Sequence, residues 1–444
     1  MMKSKSLFVC SSCGYESGKW YGRCPECSNW NTFQEVQVTD VKKSYAKETF
    51  ASSSSPISLP QVESVSENRL STENPEFDRV LGGGKGGSGI VPGSVILLSG
   101  DPGVGKSTIL LQLSLTLSAQ GKKILYITGE ESESQVKLRA ERIGNIGKST
   151  SLFIFSTTDI DNAVDICAKE KPDLVIVDSI QTMASTSFPG FPGSVPQIRY
   201  ATSRLVSFAK RTHTPVILVG HVTKEGIVAG PMILSHMVDT VLYLEGEKLT
   251  GTRILRAFKN RFGDTSEVGI FIMEEKGLIG LADASEFFVD KNDQKVAGAC
   301  LTVVMEGTRP LLVEVQALTV PTTLSFPRRV ASGIADRRLE LLLAVLQKTC
   351  KIPLDRHDVF INVVGGLKIS ETASDLAVCL AIISSFQNKP LRGLIAISEV
   401  GLLGELKTVV NLEKRIKEAK KFGFKKILTV KDAAFVSSIV SKGL

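Results

Sequence analysis

The chain has 444 residues, 43% of them hydrophobic, and its 53 lysines and arginines outnumber 46 aspartates and glutamates to give a formal charge of +7. This length and apolar content suit two or three domains with real cores, and the mild positive charge fits a polyanionic partner as well as an ordinary soluble enzyme. No run reaches the roughly 18 apolar residues of a membrane helix, and the opening MMKSKSLFVC lacks the long apolar core of a signal peptide, so a cytoplasmic protein with no membrane partner is expected.

The first element is a pair of CxxC motifs, Cys10 with Cys13 and Cys24 with Cys27, separated by ten residues. This spacing brings four thiolates into a tetrahedron and predicts a zinc ribbon holding structural Zn²⁺ with no open position for catalysis. Trp20, Tyr21 and Trp30 lie within the module, and a ribbon this small grips a partner or a nucleic acid rather than reacting with it. The other four cysteines, Cys167, Cys300, Cys350 and Cys379, each sit in an apolar run and read as core residues. Residues 35–65 lose the apolar rhythm, and the serine-rich stretch through Ser55 and Pro56 reads as a flexible linker.

The next element carries the clearest chemistry. An apolar strand, Ser94 to Ser99, runs into Gly100, Asp101, Pro102, Gly103, Val104, Gly105, Lys106, Ser107 and Thr108, which is a complete P-loop. Its glycines let successive N–H groups face one anion, Lys106 reaches the β and γ phosphates, and Ser107 holds Mg²⁺. A helix opening at the same turn adds its dipole, so ATP is the expected ligand. Five further strands follow, at 123–127, 173–177, 214–219, 240–244 and 253–258. The first three are nearly all apolar, as central parallel strands covered on both faces should be. Chemistry collects at the carboxyl edge of such a sheet. There Asp178 closes a Walker B strand and contacts Mg²⁺ through its water shell, Glu130 is placed to orient the attacking water, and His221 follows the next strand as a phosphate sensor. Glu131 and Glu133 stand beside Glu130, and a helix N-terminus would also attract acids there.

Taken together, the four-cysteine ribbon, Phe77 to Gly84 (FDRVLGGG), the P-loop, Gly129 to Ser132 (GEES) and Lys259 to Gly263 (KNRFG) closely resemble the RadA/Sms family of bacterial DNA repair and recombination proteins. The resemblance spans nearly the whole chain. It implies a RecA-like core that forms ring hexamers, with Lys259 and Arg261 meeting the γ phosphate held by a neighbouring subunit. It also implies two DNA loops, one at 187–194 with Phe191 and the following Gln197 and Arg199, the other at 223–230 with Lys224. Neither loop is strongly basic, and by composition each is equally a surface loop. One departure from the family pattern is the segment Lys85 to Gly89, inserted between the glycines and Ile90.

Beyond Gly280 come a hairpin (301–304 and 311–318), a leucine-rich helix (338–346), a strand (359–363) and the helical stretch 375–386. This order resembles the proteolytic domain of Lon. A Lon-type peptidase needs a serine nucleophile, but Asp375 occupies the expected position, Ser374 is one residue out of register, and Lys407 matches the Lon lysine without a partner. Arg328, Arg329, Arg337, Arg338, Lys414 and Arg415 fit a DNA-holding surface and solvated helix faces equally well.

The expected fold is therefore α/β in three parts: a zinc ribbon (1–34), a linker (35–65), a RecA-like P-loop ATPase with a mainly parallel sheet (66–280) and a Lon protease-like α+β domain (281–444). The expected activity is that of a DNA-dependent ATPase in recombination and repair, a ring-shaped, helicase-like motor on single-stranded DNA. It would process or extend branched intermediates with a RecA-type recombinase partner. The rivals are a Lon-like ATP-dependent peptidase and a protein-directed ATPase that does not act on DNA.

Overall fold

A computed structural model describes residues 5–10, 16–26, 28–38, 58–61, 69–84, 87–144, 146–221, 234–246, 251–281, 283, 285, 289 and 296–441. The chain divides into two compact units, one of Met1–Gly246 with Arg253–Gly280, the other of Glu247–Thr252 with Leu281–Leu444.

In the first unit, the ribbon is a three-stranded sheet of β1 (Lys5–Cys10), β2 (Glu16–Ser17) and β3 (Phe33–Val38), in the order β2-β1-β3. Helix α1 (Pro75–Leu81) is capped by Asn74, whose side chain accepts from the Phe77 N–H. The glycines before the inserted segment form β4 (Gly83–Gly84), which pairs with β5 (Gly87–Ser88) inside it, and Lys85 and Gly86 lie outside the described residues.

The main sheet follows, built from β6 (Val95–Gly100), β7 (Ile124–Thr128), β8 (Leu152–Ser156), β9 (Leu174–Asp178), β10 (Val216–Val219), β11 (Thr240–Gly246), β12 (Thr252–Asn260), β13 (Val268–Glu274) and β14 (Gly277–Gly280). The order is β14-β13-β12-β11-β6-β10-β9-β7-β8. From β8 through β11 every pairing is parallel, and β12 runs antiparallel to β11. Strands β6, β7, β9 and β10 are buried along their whole length, which explains their unbroken apolar runs. Alternate residues feed two cores. Ile96 and Leu98 pack with Ile109, Leu110 and Leu113 of α2 (Lys106–Ala119), while Val95 and Leu97 pack with residues of α4 (Ile160–Glu170) and α5 (Val195–Thr212) on the opposite face. Helix α3 (Glu133–Ile143) covers the far side of α2 through Val136 and Ala140 against Leu111 and Leu115. Helix α2 consequently carries apolar residues on two faces rather than on one stripe. Truncating a residue such as Ile176 to alanine here costs about 2–5 kcal/mol.

The second unit holds a six-stranded sheet in the order β17-β18-β16-β15-β19-β22. Its strands are β15 (Ala299–Glu306), β16 (Arg309–Pro321), β17 (Arg329–Ser332), β18 (His357–Val363), β19 (Ile395–Ala396) and β22 (Ile427–Leu428), and a two-stranded ribbon pairs β20 (Glu399–Val400) with β21 (Leu406–Lys407). Helices Asp336–Cys350 and Asp375–Gln387 build one core with Cys300, Val315 and Ile361, and helix Leu412–Lys421 builds a second with Leu301 and Val303. This is an α+β unit. Burial raises the thiol pKa of Cys300 and Cys379 in this unit, and pushes Cys167 in the first to about 12, so all three stay protonated packing groups.

Candidate active site

The P-loop leaves β6 at Gly100, whose φ of 150° and closeness to the Leu244 carbonyl admit no side chain: an added Cβ would lie 2.3 Å from that oxygen. Gly103 and Gly105 also have positive φ, and α2 starts directly at Lys106. The turn is therefore held open for a phosphate by backbone alone, as a nucleotide site requires. The Lys106 ammonium is buried and donates to the carbonyls of Gly100 at 2.8 Å and Asp101 at 3.0 Å. Burial draws its pKa below the usual lysine value, against the opposing charges of Asp178, Asp101 and Glu130. Asp101 also receives the Tyr243 hydroxyl at 3.5 Å, and Arg253 donates to the Val104 carbonyl at 2.9 Å, tying β11 and β12 to the loop.

Parallel register places the acids. Thr128 on β7 pairs with Asp178 on β9, so Glu130, two residues further, turns over the strand ends beside Asp178. The neighbouring acids separate by their partners. Glu131 pairs with Arg139 at 3.0 Å, and Glu133 opens α3 and accepts the Ser156 N–H, satisfying the helix-start preference. Glu130 alone of the three faces the catalytic corner, accepting from Ser179 Oγ at 2.5 Å and lying 3.5 Å from His221 Nε2. Gln181 donates to the His221 carbonyl and fixes the strand end that carries it.

Tyr126 is a residue that motif reading missed. Fully buried beneath α2, it donates its hydroxyl to Asp178 Oδ2 at 2.6 Å. Burial and the Asp178 charge push its phenol well above the ordinary value, so it remains a donor. The only signal in the sequence is a polar hydroxyl inside the apolar strand ILYIT, which must find a partner there.

Lys259 and Arg261 stand elsewhere. Because β12 is antiparallel, Arg253 pairs with Gly246 at the P-loop edge, whereas Lys259 pairs with Val241 and Asn260 with Thr240 near the start of β6. Five residues of strand, about 16 Å, separate the two edges. Lys259 donates to the carbonyls of Ser235 and Val238, and Arg261 reaches Asp239 at 3.3 Å, an acid that also holds Lys210 and the Val95 N–H. Burial, with the adjacent Arg261, lowers the Lys259 pKa. The KNRFG turn is locked onto FDRVLGGG by close contact of Gly263 with Gly82, by Asn260 donating to the Val80 and Leu81 carbonyls, and by Arg69 donating to those of Gly82 and Phe262. Two motifs far apart in the chain form one structure.

Of the loop residues, Phe191 and Arg199 are exposed, and Phe188 stacks on Tyr200 at 4.5 Å. Gln197 departs from its expected role at DNA. Its amide is buried and bonds Ser185 at both N–H and carbonyl, as well as the carbonyls of Phe188 and Gly190, so it shapes the loop from inside. Lys224 lies outside the described residues, as do Cys13 and Cys27. Cys10 and Cys24 are buried together against Phe33, a thiol donor set that fits Zn²⁺ with the remaining pair.

In the second unit, three arginines also differ from the surface reading. Arg415 is buried and grips Glu371 with two bonds of 2.6 Å, Arg338 pairs with Asp375, and Arg329 donates to the carbonyls of Leu354 and His357. The Lys407 ammonium lies 3.4 Å from Glu405. Among the described residues no helix is long and apolar enough to cross a membrane.

Comparison with known proteins agrees with this geometry. Residues 58–226 match the AAA domain family, and residues 8–35 match the rubredoxin metal binding domain family. The DNA repair protein RadA of Bacillus subtilis (strain 168) is 47% identical over 435 residues, covering 96% of this chain and 93% of the relative. That of Streptococcus pyogenes serotype M6 is 45% identical over 98% of this chain and 94% of its own, and that of Listeria monocytogenes serovar 1/2a is 44% identical over 97% and 93%. A P-loop closed by a Tyr126-braced Asp178 and near-complete coverage by these relatives lead to one conclusion: the chain belongs to the RadA/Sms family.

Proposed function

We propose that this protein is a DNA-dependent ATPase of homologous recombination and DNA repair, working as a homohexameric ring that translocates on single-stranded DNA. It extends branched recombination intermediates beside a RecA-type recombinase. The observation that carries this reading is the division of charged groups between two sheet edges. Lys106, Glu130 and Asp178 gather at the carboxyl edge, and Lys259 and Arg261 lie about five strand residues away at the other. A chain built this way cannot bring its own Arg261 to its own phosphates. This separation supports a reading in which a neighbour supplies that charge, as a ring would allow. The repair assignment follows the name that the relatives carry.

In this reading Lys106 binds the β and γ phosphates, leaving the Gly100 and Asp101 carbonyls that it now bonds. Glu130 orients water for attack on the γ phosphorus, with Ser179 and His221 holding its carboxylate at the corner. Ser107 and Asp178 would hold Mg²⁺, which when bound would supply charge neutralisation at the phosphates. Lys259 and Arg261 of an adjacent subunit neutralise charge as the phosphoryl group leaves. Cys10, Cys13, Cys24 and Cys27 would hold Zn²⁺, which would close the ribbon without a part in hydrolysis. The second unit serves as a scaffold. A peptidase role is disfavoured because Asp375, standing where a serine nucleophile belongs, is committed to Arg338.

The test is steady-state ATP hydrolysis with and without single-stranded DNA. Stimulation supports the motor, and hydrolysis indifferent to DNA moves the reading to a protein-directed ATPase. Co-expressing Lys106→Ala with Arg261→Ala chains probes the shared site: each alone is inactive, and mixed rings regain activity wherever an intact P-loop meets an intact Arg261. Absence of any recovery would place Arg261 outside the shared site.

A further inference from the structure

The ribbon carries an aromatic surface that neither the ATPase site nor the metal needs. Trp20 is 53% exposed and Trp30 is 70% exposed, large apolar rings that a packed module would ordinarily bury. They are not scattered. Arg23 and Trp30 face each other across an antiparallel bridge, and the Asn31 N–H bonds the Gly22 carbonyl at 2.7 Å. This brings both indoles over Gly22, so that a Cβ built there would lie 3.7 Å from the Trp20 ring and 3.8 Å from the Trp30 ring. Glycine at this position leaves the floor between the rings flat. Tyr21 turns the other way and leans on Phe33, with ring centroids 5.8 Å apart, anchoring the segment to the ribbon interior. Lys19 and Arg23, both exposed, border the pair, and Arg23 is steadied by donating to the Ser28 carbonyl at 3.0 Å.

We propose that Trp20 and Trp30 form a stacking platform for unpaired bases of single-stranded nucleic acid, with Lys19 and Arg23 receiving the flanking phosphates. Stacking fits because every base has a π-face and two adjacent exposed indoles accept two of them without regard to sequence. Cations at the rim favour a polyanionic strand over an acidless peptide. This inference rests on the DNA reading given above and adds a second contact, on the ribbon, to the loops of the ATPase unit.

The chain has two tryptophans, and both are in the ribbon, so intrinsic tryptophan emission of the full-length protein reports this surface alone. Full-length protein is titrated with oligothymidylate, following tryptophan emission with an unlabelled strand and anisotropy with a fluorescein-labelled one. Quenching should saturate at the same concentration as the anisotropy. Trp20→Phe and Trp30→Phe keep a stacking ring and should retain binding, each leaving one indole to be quenched. The double replacement of Trp20 and Trp30 by alanine should weaken binding by roughly tenfold or more. Zinc content measured on that variant separates loss of stacking from loss of the ribbon fold. Anisotropy that rises with unchanged emission overturns the platform and leaves the DNA reading standing, with the indole pair then assigned to a protein partner. Undiminished affinity by anisotropy in the zinc-loaded double variant, which has no tryptophan left to quench, also overturns it. No anisotropy change at all removes the DNA reading and the platform together.

Discussion

Both units place acids and bases inside the protein, and they treat them in opposite ways. In the second unit two arginines are matched to carboxylates: Arg415 holds Glu371 by two bonds, and Arg338 holds Asp375 while the Val400 N–H satisfies the same carboxylate. In the first unit, Lys106, Glu130, Asp178 and His221 converge on one corner, where the cation is bonded to carbonyls rather than to a carboxylate. A pairwise match is a finished structure, because any ligand would have to break it. Neutral partners around Lys106 leave its charge available to a phosphate. These two sites differ in how their charges are partnered.

This contrast can be broken or sharpened by substitution. The largest effect should come from Arg338→Met, which strands the nearly enclosed Asp375 carboxylate and should cost the second unit about 3–5 kcal/mol. Calorimetry should show one lowered transition, and adding Asp375→Leu should recover most of the loss; a single change with no effect on melting would refute the pairwise picture. Next, Lys106→Ala should reduce ATP turnover by roughly a hundred- to thousandfold, about 3–4 kcal/mol of transition-state stabilisation, with no comparable fall in melting temperature. Equal losses in rate and stability would make Lys106 a structural group. Gln197→Ala removes four bonds, two to Ser185 and two to the loop at 187–194, and should raise the loop's local opening by about 1–3 kcal/mol, read as faster hydrogen exchange there while the P-loop amides keep their protection. The smallest change should be Tyr126→Phe. Losing one donor to Asp178, worth about 1 kcal/mol, should raise the Mg²⁺ concentration for half-maximal hydrolysis several-fold and leave metal-free nucleotide binding in place. An unaltered Mg²⁺ dependence would mean that Tyr126 only fills space.

The P-loop and its flanking strand and helix were legible because their signal is local: glycines, lysine and apolar runs adjoin in sequence, and burial of β6, β7, β9 and β10 follows from their composition. Strand β8 was not foreseen, since Leu152–Ser156 is only partly covered beside a single neighbour. Nor was the hairpin of β13 with β14. The placement of Lys259 and Arg261 required strand direction, which no motif carries. Arg415 and Arg338 looked like solvated helix charges because their partners, Glu371 and Asp375, lie 44 and 37 residues away in sequence. Gln197 failed for the same reason at shorter range: polarity announced an amide, and only the fold shows it facing inward.

Strand β12 touches the Val104 carbonyl through Arg253 at one end and presents Lys259 and Arg261 beyond the other. An extended strand hydrogen-bonded within a sheet is stiff along its length, so the element links a chain's own phosphate loop to the turn that carries Lys259 and Arg261. In the ring proposed above, such a link would carry nucleotide state from one chain's phosphate loop to its neighbour's in a single direction, and the chains would take turns rather than fire together.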